Sequence, residues 1–178
     1  MSQPTDLPEP WLRGTFSDVP AVQRAVLHAL QSAEEDLAKW CAELTDGEFH
    51  SRPAGLAPVA FQLRHIAGSV DRLLTYAEVR ELTAEQVTFL KAEGSSGETV
   101  CLALGSLSKA MRLAAERVRR FTPSELEQPR GVGRKQLPTT VGGLLVHVAD
   151  HTQRHVGQAI TTAKLLLANR AAQEETRD

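Results

Sequence analysis

The chain has 178 residues, of which 42% are hydrophobic, and this is the size and composition of one globular domain with a single buried core. Its formal net charge is −2 at pH 7 with acidic and basic residues interleaved, which argues against a nucleic-acid partner and a membrane-binding face. The first residues contain no basic segment followed by an apolar run, and no stretch approaches the ~20 apolar residues of a membrane span, so we expect a cytoplasmic protein.

Apolar residues recur at intervals of three and four along four long segments, which predicts four amphipathic helices. The first spans residues 17–44, with Asp18 as its N-cap. The second spans residues 57–80 and follows the break "SRPAGLAP", which a helix cannot cross. A short connecting helix is predicted over residues 83–93, because Thr83 and Gln86 have the spacing of a capping box.

The third long helix is predicted over residues 99–121 and the fourth over residues 139–171. Between them lies a polar loop at 122–138 that is rich in Pro, Gly and Arg. No segment alternates between apolar and polar residues as a strand does, so we expect no sheet.

The predicted fold is therefore all-α, with the four long helices packed into a four-helix bundle. We expect one domain over residues 1–178, with an N-terminal arm at 1–16 and a frayed tail at 171–178. Cys41 and Cys101 lie far apart and outside any CxxC pattern, which argues against a disulfide framework and a zinc ribbon, and we expect both to be buried.

The fourth helix carries three of the six histidines of the chain, His147, His151 and His155. Residues four apart on a helix are offset by about 40° and lie roughly 6 Å apart, so adjacent histidines can share one metal ion. His147 and His155 are separated by about 12 Å along the axis, too far for all three rings to reach one ion. His151 and His155 lie nearer the apolar face than His147, so this pair plus a ligand from another helix is the expected site.

The third ligand is sought among His28, His50 and His65. His50 falls in a loop between helices, and His28 points away from the apolar stripe of its helix. His65 is the best remaining choice, at the border of the second helix on a flank that also carries Gln62, Ser69 and Tyr76. Three neutral imidazoles would leave an open position on a divalent ion, where water or a substrate atom can bind.

Three segments of the sequence resemble the DinB superfamily, also called DinB/YfiT-like metalloenzymes. They are "EPWLRGTFSDVPAVQRAVLHAL", "FQLRHIAGSVDRLLTY" and "TTVGGLLVHVADHTQRHVGQ". The most specific element is a histidine on the second helix combined with HxxxH and a following Gly-Gln step, matched by His65, His151, His155, Gly157 and Gln158.

This resemblance implies a four-helix bundle with a long crossover between helices two and three, here residues 81–98. It also implies that His65, His151 and His155 bind a divalent metal ion, most often zinc or nickel, and that the protein forms a homodimer. Characterised members of the family include bacterial S-transferases that use a low-molecular-weight thiol such as bacillithiol or mycothiol. By resemblance, the expected function is activation of such a thiol at the metal for attack on a small electrophilic substrate.

Two other function classes stay open at this point. A metal-dependent hydrolase would use the same ligands but needs a general base near the ion, and the fourth helix offers no carboxylate beyond Asp150. A non-catalytic, stress-related binding or interaction module would hold a structural metal or none. No catalytic residue is assigned, but His147 is a candidate proton relay beside the ligands and Gln158 a candidate hydrogen-bond partner for a ligand or water.

Overall fold

The structure is a computed structural model that describes residues 7–95 and 97–176. Within these residues it contains six α-helices and two short strands. They are α1 (Ala21–Cys41), α2 (Asp46–His50), α3 (Val59–Ala77), α4 (Ala84–Ala92), α5 (Val100–Val118), β1 (Pro129–Val132), β2 (Leu137–Thr140) and α6 (Val141–Glu175). The mainly helical structure agrees with the predicted all-α class.

The four long helices α1, α3, α5 and α6 correspond to the four predicted from the sequence. Helix α3 packs against α5 and α6, and α1 packs against the same two helices. Their apolar stripes meet in one core, whose largest fully buried side chains include Leu30, Leu37, Leu63, Ile66, Leu74, Leu107, Met111 and Leu145. Isolated helices of this length are only marginally stable in water, so burial of their apolar stripes supplies most of their stability.

Side-chain caps begin several of the helices. The predicted capping box of α4 is confirmed, because Thr83 Oγ1 accepts from the Gln86 N–H at 3.2 Å and Gln86 Oε1 accepts from the Thr83 N–H at 2.9 Å. The prediction of Asp18 as an N-cap is wrong, since α1 begins after Pro20, which occupies the N-cap position. Proline is tolerated there because its missing N–H is not needed for a helical hydrogen bond.

The predicted loop between the third and fourth long helices contains an antiparallel hairpin, so the expectation that no strand would form is wrong. Strands β1 and β2 pair with Pro129 opposite Thr140 and Val132 opposite Leu137. Four residues per strand and a pair of prolines leave no alternating pattern to detect. The hairpin is fixed to the end of α3, where Arg130 Nε donates to the Ala77 carbonyl oxygen at 2.6 Å.

The crossover between α3 and α5 carries α4, which has no buried residue of its own. Polar contacts therefore hold it on α3, since Gln86 Nε2 donates to Asp71 Oδ2 at 2.7 Å and to Thr75 Oγ1 at 2.8 Å. Directly after α4, the buried side chain of Glu93 reaches α3 as well. These contacts bring part of the crossover against the face of α3 that carries His65.

The ends of the chain differ in detail from the prediction. Helix α6 continues to Glu175, past the predicted end at 171, although the side chains of residues 171–176 are exposed. Cys41 is buried as expected, whereas Cys101 is exposed on α5, so the expectation for Cys101 is wrong. Within residues 7–95 and 97–176 we find no helix that is both long and apolar enough to cross a membrane.

Candidate metal centre

Three histidines converge between α3 and α6. His65 comes from α3, and His151 and His155 come from consecutive turns of α6. One ring nitrogen from each lies within 4.8 Å of the others, and the Nε2 atoms of His65 and His151 are 3.0 Å apart. All three side chains are half-buried, so they form a group that is shielded by the helices yet reachable from solvent.

The antiparallel packing of α3 on α6 explains why residues so distant in sequence meet. Gln62 contacts Gln158 while His65 contacts His151, so positions that advance along α3 recede along α6. The spacing of four between His151 and His155 then directs both rings to the same side of α6, facing His65. The ring centroid of His65 lies 5.1 Å from that of His151 and 4.4 Å from that of His155.

The outer nitrogen of His65, Nδ1, faces away from the other two histidines and is held by a buried ion pair. His65 Nδ1 lies 2.8 Å from Glu93 Oε2, and Arg72 Nη1 donates to Glu93 Oε1 at 2.7 Å. A carboxylate can only accept, so the proton of a neutral His65 is on Nδ1 and the lone pair of Nε2 points to the other two histidines. The Glu93 side chain is only 4% exposed, which leaves this carboxylate little contact with water.

A glycine on α3 makes room for this ion pair. A Cβ atom at Gly68 would lie 2.6 Å from both Arg72 Nη1 and Glu93 Oε1, and 2.9 Å from Phe89 Cδ1. These separations are shorter than van der Waals contact, so any larger residue would push the pair apart. Gly68 therefore lets the crossover approach α3 closely enough for Glu93 to reach His65.

The outer nitrogen of His155 is held by a pair of amides. His155 Nδ1 donates to Gln62 Oε1 at 2.6 Å, and Gln62 Nε2 donates to Gln158 Oε1 at 3.0 Å. Gln62 is almost fully buried, so its amide is fixed by these two contacts. Like His65, His155 thereby keeps its Nε2 atom free to face the cluster.

Burial and mutual repulsion keep the rings of His151 and His155 neutral. Burial, together with the neighbouring His155, His65, His147 and Arg154, lowers the pKa of His151 to about 4. The pKa of His155 is also lowered, first by burial and then by His65 and Arg154. Neutral imidazole is the form that binds a metal ion, so at pH 7 no proton has to be displaced from an imidazolium at either of these two residues.

The donor set suits a tetrahedral divalent ion. Two nitrogens bound to one zinc ion at 2.0–2.1 Å lie roughly 3.3 Å apart, close to the separation of the His65 and His151 Nε2 atoms. Imidazole also binds nickel, copper and iron, so the ligands do not select one metal. Three protein ligands leave a fourth position for a water molecule or a substrate atom.

The other predicted residues lie in different surroundings. His147 is outside the group of three, with a side chain 47% exposed and Nδ1 4.0 Å from Asp150 Oδ2. Asp150 is itself exposed and accepts a hydrogen bond from Arg154 at 2.7 Å. His28 contacts Thr15 and His50 contacts the Glu98 carbonyl oxygen, so neither takes part.

Gln158 reaches His155 only through Gln62, whereas the sequence predicted a direct hydrogen bond to a histidine of the group or to water. Two residues of the site were missed by the sequence analysis, Glu93 and Arg72. Glu93 follows a short exposed helix whose sequence gives no sign of a buried carboxylate, and Arg72 resembles any surface charge of an amphipathic helix. Only their contact across the fold reveals them.

The comparison with protein families is consistent with this geometry. The profile of the DinB superfamily matches residues 29–159, which include all three histidines, Gln62, Arg72, Glu93 and Gln158. A search of curated proteins found no match. Because the match covers well over half of the chain, the protein belongs to the DinB superfamily.

Proposed function

We propose that this protein is a divalent-metal-dependent enzyme whose ion is held by His65, His151 and His155. The observation that carries the proposal is the convergence of three ring nitrogens within 4.8 Å, with the outer nitrogens of two of the rings fixed by buried partners. Isolated histidines on helix surfaces do not require such support. Membership of the DinB superfamily favours the same conclusion.

We further propose that the reaction joins a low-molecular-weight thiol, through its sulfur, to a small electrophile. The thiol loses its S–H proton, sulfur forms a bond to the electrophilic atom, and the leaving group departs with its electron pair. A divalent ion with an open position would lower the pKa of a thiol and favour its nucleophilic thiolate form near pH 7. The support for the thiol is the resemblance to the family's S-transferases. Within the described residues no cysteine joins the three histidines, so an attacking sulfur has to come from a bound small molecule.

The residues of the chain have separate tasks in this proposal. Glu93 and Arg72 hold the His65 ring, and Gln62 with Gln158 holds the His155 ring, so that both Nε2 atoms are directed at the ion. Ser69 Oγ lies 3.3 Å from His65 Nε2 and can hydrogen-bond to a group beside the ion. The surrounding helices limit the access of water, which strengthens the interaction between the ion and an anionic sulfur.

A hydrolase is the weaker candidate because the described residues provide no free carboxylate beside the histidines to act as general base. Glu93 is the nearest buried carboxylate, but Oε2 contacts His65 and Oε1 accepts from Arg72. A carboxylate engaged on both oxygens is poorly placed to remove a proton from water. Asp150 is exposed and paired with Arg154.

The first experiment measures the metal content of the untagged protein by mass spectrometry. We expect about one divalent ion per chain, with zinc and nickel as the proposed occupants. The variant His151→Ala/His155→Ala should lose the ion, whereas His147→Ala, which removes an exposed histidine from the same helix, should retain it. Absence of bound metal after supplementation with zinc, nickel, manganese and iron would contradict the proposal and favour a non-catalytic binding module.

The second experiment tests the thiol. Metal-loaded protein is titrated with bacillithiol and mycothiol, and thiolate coordination to a cobalt-substituted site is followed by its charge-transfer absorption. Saturable binding that is absent from His151→Ala/His155→Ala would support S-transfer. Metal binding without any thiol binding would leave the metal centre intact but overturn the thiol chemistry.

We also propose that α1, α3, α5 and α6 form a four-helix bundle, that the chain is a single domain, and that the active form is a homodimer. The measured mass in solution by light scattering tests the dimer directly.

A further inference from the structure

A large open cavity lies between the end of α3, the helix α4 and the hairpin β1–β2. Its volume is about 1010 Å³. The connection after α3 contributes Val79, Arg80 and Glu81, the hairpin contributes Arg130 and Arg134, and Tyr76 lies on the α3 wall. None of the three histidines of the metal centre lines this cavity.

The cavity has a cationic lining. Three arginines face it, Arg80, Arg130 and Arg134, against one acidic residue, Glu81. Arg80 is paired with Glu78, whose carboxylate also accepts from Arg117. The described part of the chain shows no ion pair for Arg134.

Arg130 is held in place by neutral groups alone. Its Nε donates to the Ala77 carbonyl oxygen at 2.6 Å, its Nη1 to the Pro129 carbonyl oxygen at 2.9 Å and its Nη2 to Gln128 Oε1 at 3.2 Å. The guanidinium is therefore rigidly positioned, but its charge is not neutralised by a carboxylate within hydrogen-bonding distance. The charge of Glu125 interacts with that of Arg130 without a direct hydrogen bond, so the guanidinium stays available for charge-assisted hydrogen bonds to an anion.

The cavity lies on the same side of α3 as the metal centre. Tyr76 follows His65 by three helical turns, so it faces within about 20° of the same direction and lies roughly 16 Å further along the helix. On the other helix, β2 leads directly into α6 at Val141, roughly 15 Å before His151. The cavity and the histidines are therefore separate sites, and the buried side chains of Ser69 and Arg72 lie between them on α3.

We propose that this cavity is a binding site for an anionic small molecule that presents a carboxylate or phosphate group. The inference does not depend on the proposed function. Arg130 and Arg134 contact the anion, and Arg80 adds positive potential at the rim. The basic hairpin thus favours anionic ligands over neutral ones.

Anion binding is tested on the metal-free protein with inorganic phosphate as the probe. Amide and arginine Nε–H signals of ¹⁵N-labelled protein are followed by NMR during the titration, with chloride added at equal ionic strength as the reference. We expect saturable shifts at Gly131, Gly133 and Arg130 that chloride does not produce. Shifts that do not saturate, or that chloride reproduces, would overturn the proposal.

Matched variants separate the cavity from general surface charge. Arg134→Gln should weaken phosphate binding roughly three- to tenfold, the effect of losing one charge-assisted hydrogen bond at an exposed site, and Arg80→Gln/Arg134→Gln should weaken it further. Lys135→Gln removes the same charge from the adjacent hairpin position, which does not line the cavity, and should change the affinity less than twofold. Equal effects of Arg134→Gln and Lys135→Gln would contradict a defined site.

A second comparison distinguishes this proposal from the metal centre. The variant His151→Ala/His155→Ala cannot hold the ion and should bind phosphate as the wild type does. Phosphate binding that disappears in this variant would place the anion at the histidines and refute the cavity. Phosphate binding that persists while the wild type fails to bind metal would instead refute only the proposed function.

Discussion

At the scale of single residues, the orientation of His65 depends on a carboxylate that comes from a different part of the chain. Glu93 fixes the outer nitrogen of His65, and Arg72 neutralises the charge of this buried carboxylate. Supporting partners of this kind commonly change metal affinity by about 10- to 100-fold when they are removed. The helical wheel of α3 could place His65 near the other histidines, but it could not reveal that Glu93 fixes the orientation of the His65 ring.

The substitution Glu93→Ala should therefore weaken zinc affinity roughly 10- to 100-fold, and Glu93→Gln should weaken it less because the amide oxygen still accepts from His65. Competition titration with a chromophoric chelator measures both values. Glu85→Gln, an exposed position on α4, serves as the control and should match the wild type. Equal affinity of Glu93→Ala and wild type would show that the His65 ring is held by packing alone.

The two cysteines should differ in reactivity for reasons that are local to each residue. Burial raises the pKa of Cys41 to about 12 and encloses its sulfur, whereas Cys101 is exposed on α5. Since the thiolate is the reactive form, Cys41 should be inert to an aromatic disulfide reagent at pH 8 until the protein unfolds. The native protein should release one equivalent of chromophore and the denatured protein two, and Cys101→Ser should release none when native.

At the scale of elements, the long helices could be predicted from the sequence, while the segments between them were predicted less well. Periodicity locates α1, α3, α5 and α6 because their stability comes from a continuous apolar stripe. The capping box of α4 was also visible, since Thr83 and Gln86 interact within one turn. The hairpin was not, because its strands are short and its anchor is a contact between Arg130 and the distant Ala77.

The close approach of the crossover to α3 gives Gly68 a role that can be tested against another helical glycine. In Gly68→Ala the new methyl group would overlap Arg72, Glu93 and Phe89, so we expect weaker zinc affinity and lower stability with little loss of helical circular dichroism. Gly105→Ala on α5 meets no atom within 4 Å and should stabilise the protein by roughly 0.5–1 kcal/mol. If Gly68→Ala behaves like Gly105→Ala, then the crossover is not packed as tightly as described.

At the scale of the whole molecule, ion pairs complement the core by joining helices at their ends. Arg117 of α5 donates to Glu78 at the end of α3 at 2.8 Å and to Asp71 at 2.6 Å. Burial raises the pKa of Glu78, but the hydrogen bonds from Arg117 and Arg80 outweigh burial and hold the pKa below its ordinary value of 4.5. The folded protein therefore binds this proton less readily than the unfolded chain does.

The lowered pKa of Glu78 in the folded state predicts how the free energy of unfolding changes in acid. The stabilising effect of ionised Glu78 is complete above pH 4.5 and is lost as the pH falls through the lowered pKa of the folded state. Glu78→Gln should be less stable than wild type in urea at pH 7, and the difference should shrink below pH 4.5. Glu127→Gln, on an exposed loop position, should show no such dependence, and a constant difference for Glu78→Gln at all pH values would contradict the assignment.

The sequence predicts those residues of the candidate site that are close together on one helix better than those brought together by the fold. His151 and His155 could be paired from their spacing on one helix, and His65 was selected because few alternatives remained. Glu93 and Arg72, by contrast, meet through the fold of the crossover, which no periodic pattern specifies. The cavity beside the hairpin was equally hidden, since its arginines come from two connections that are distant in sequence.

The helix α4 has no buried residue, yet it is followed by the carboxylate that holds His65. A segment tied down by polar contacts opens at a lower free energy than the apolar core does. Heating should thus detach the crossover first and release Glu93 while α1, α3, α5 and α6 remain packed. The protein would then unfold in two thermal transitions. Its metal affinity would fall at the lower transition temperature, before the four long helices unfold.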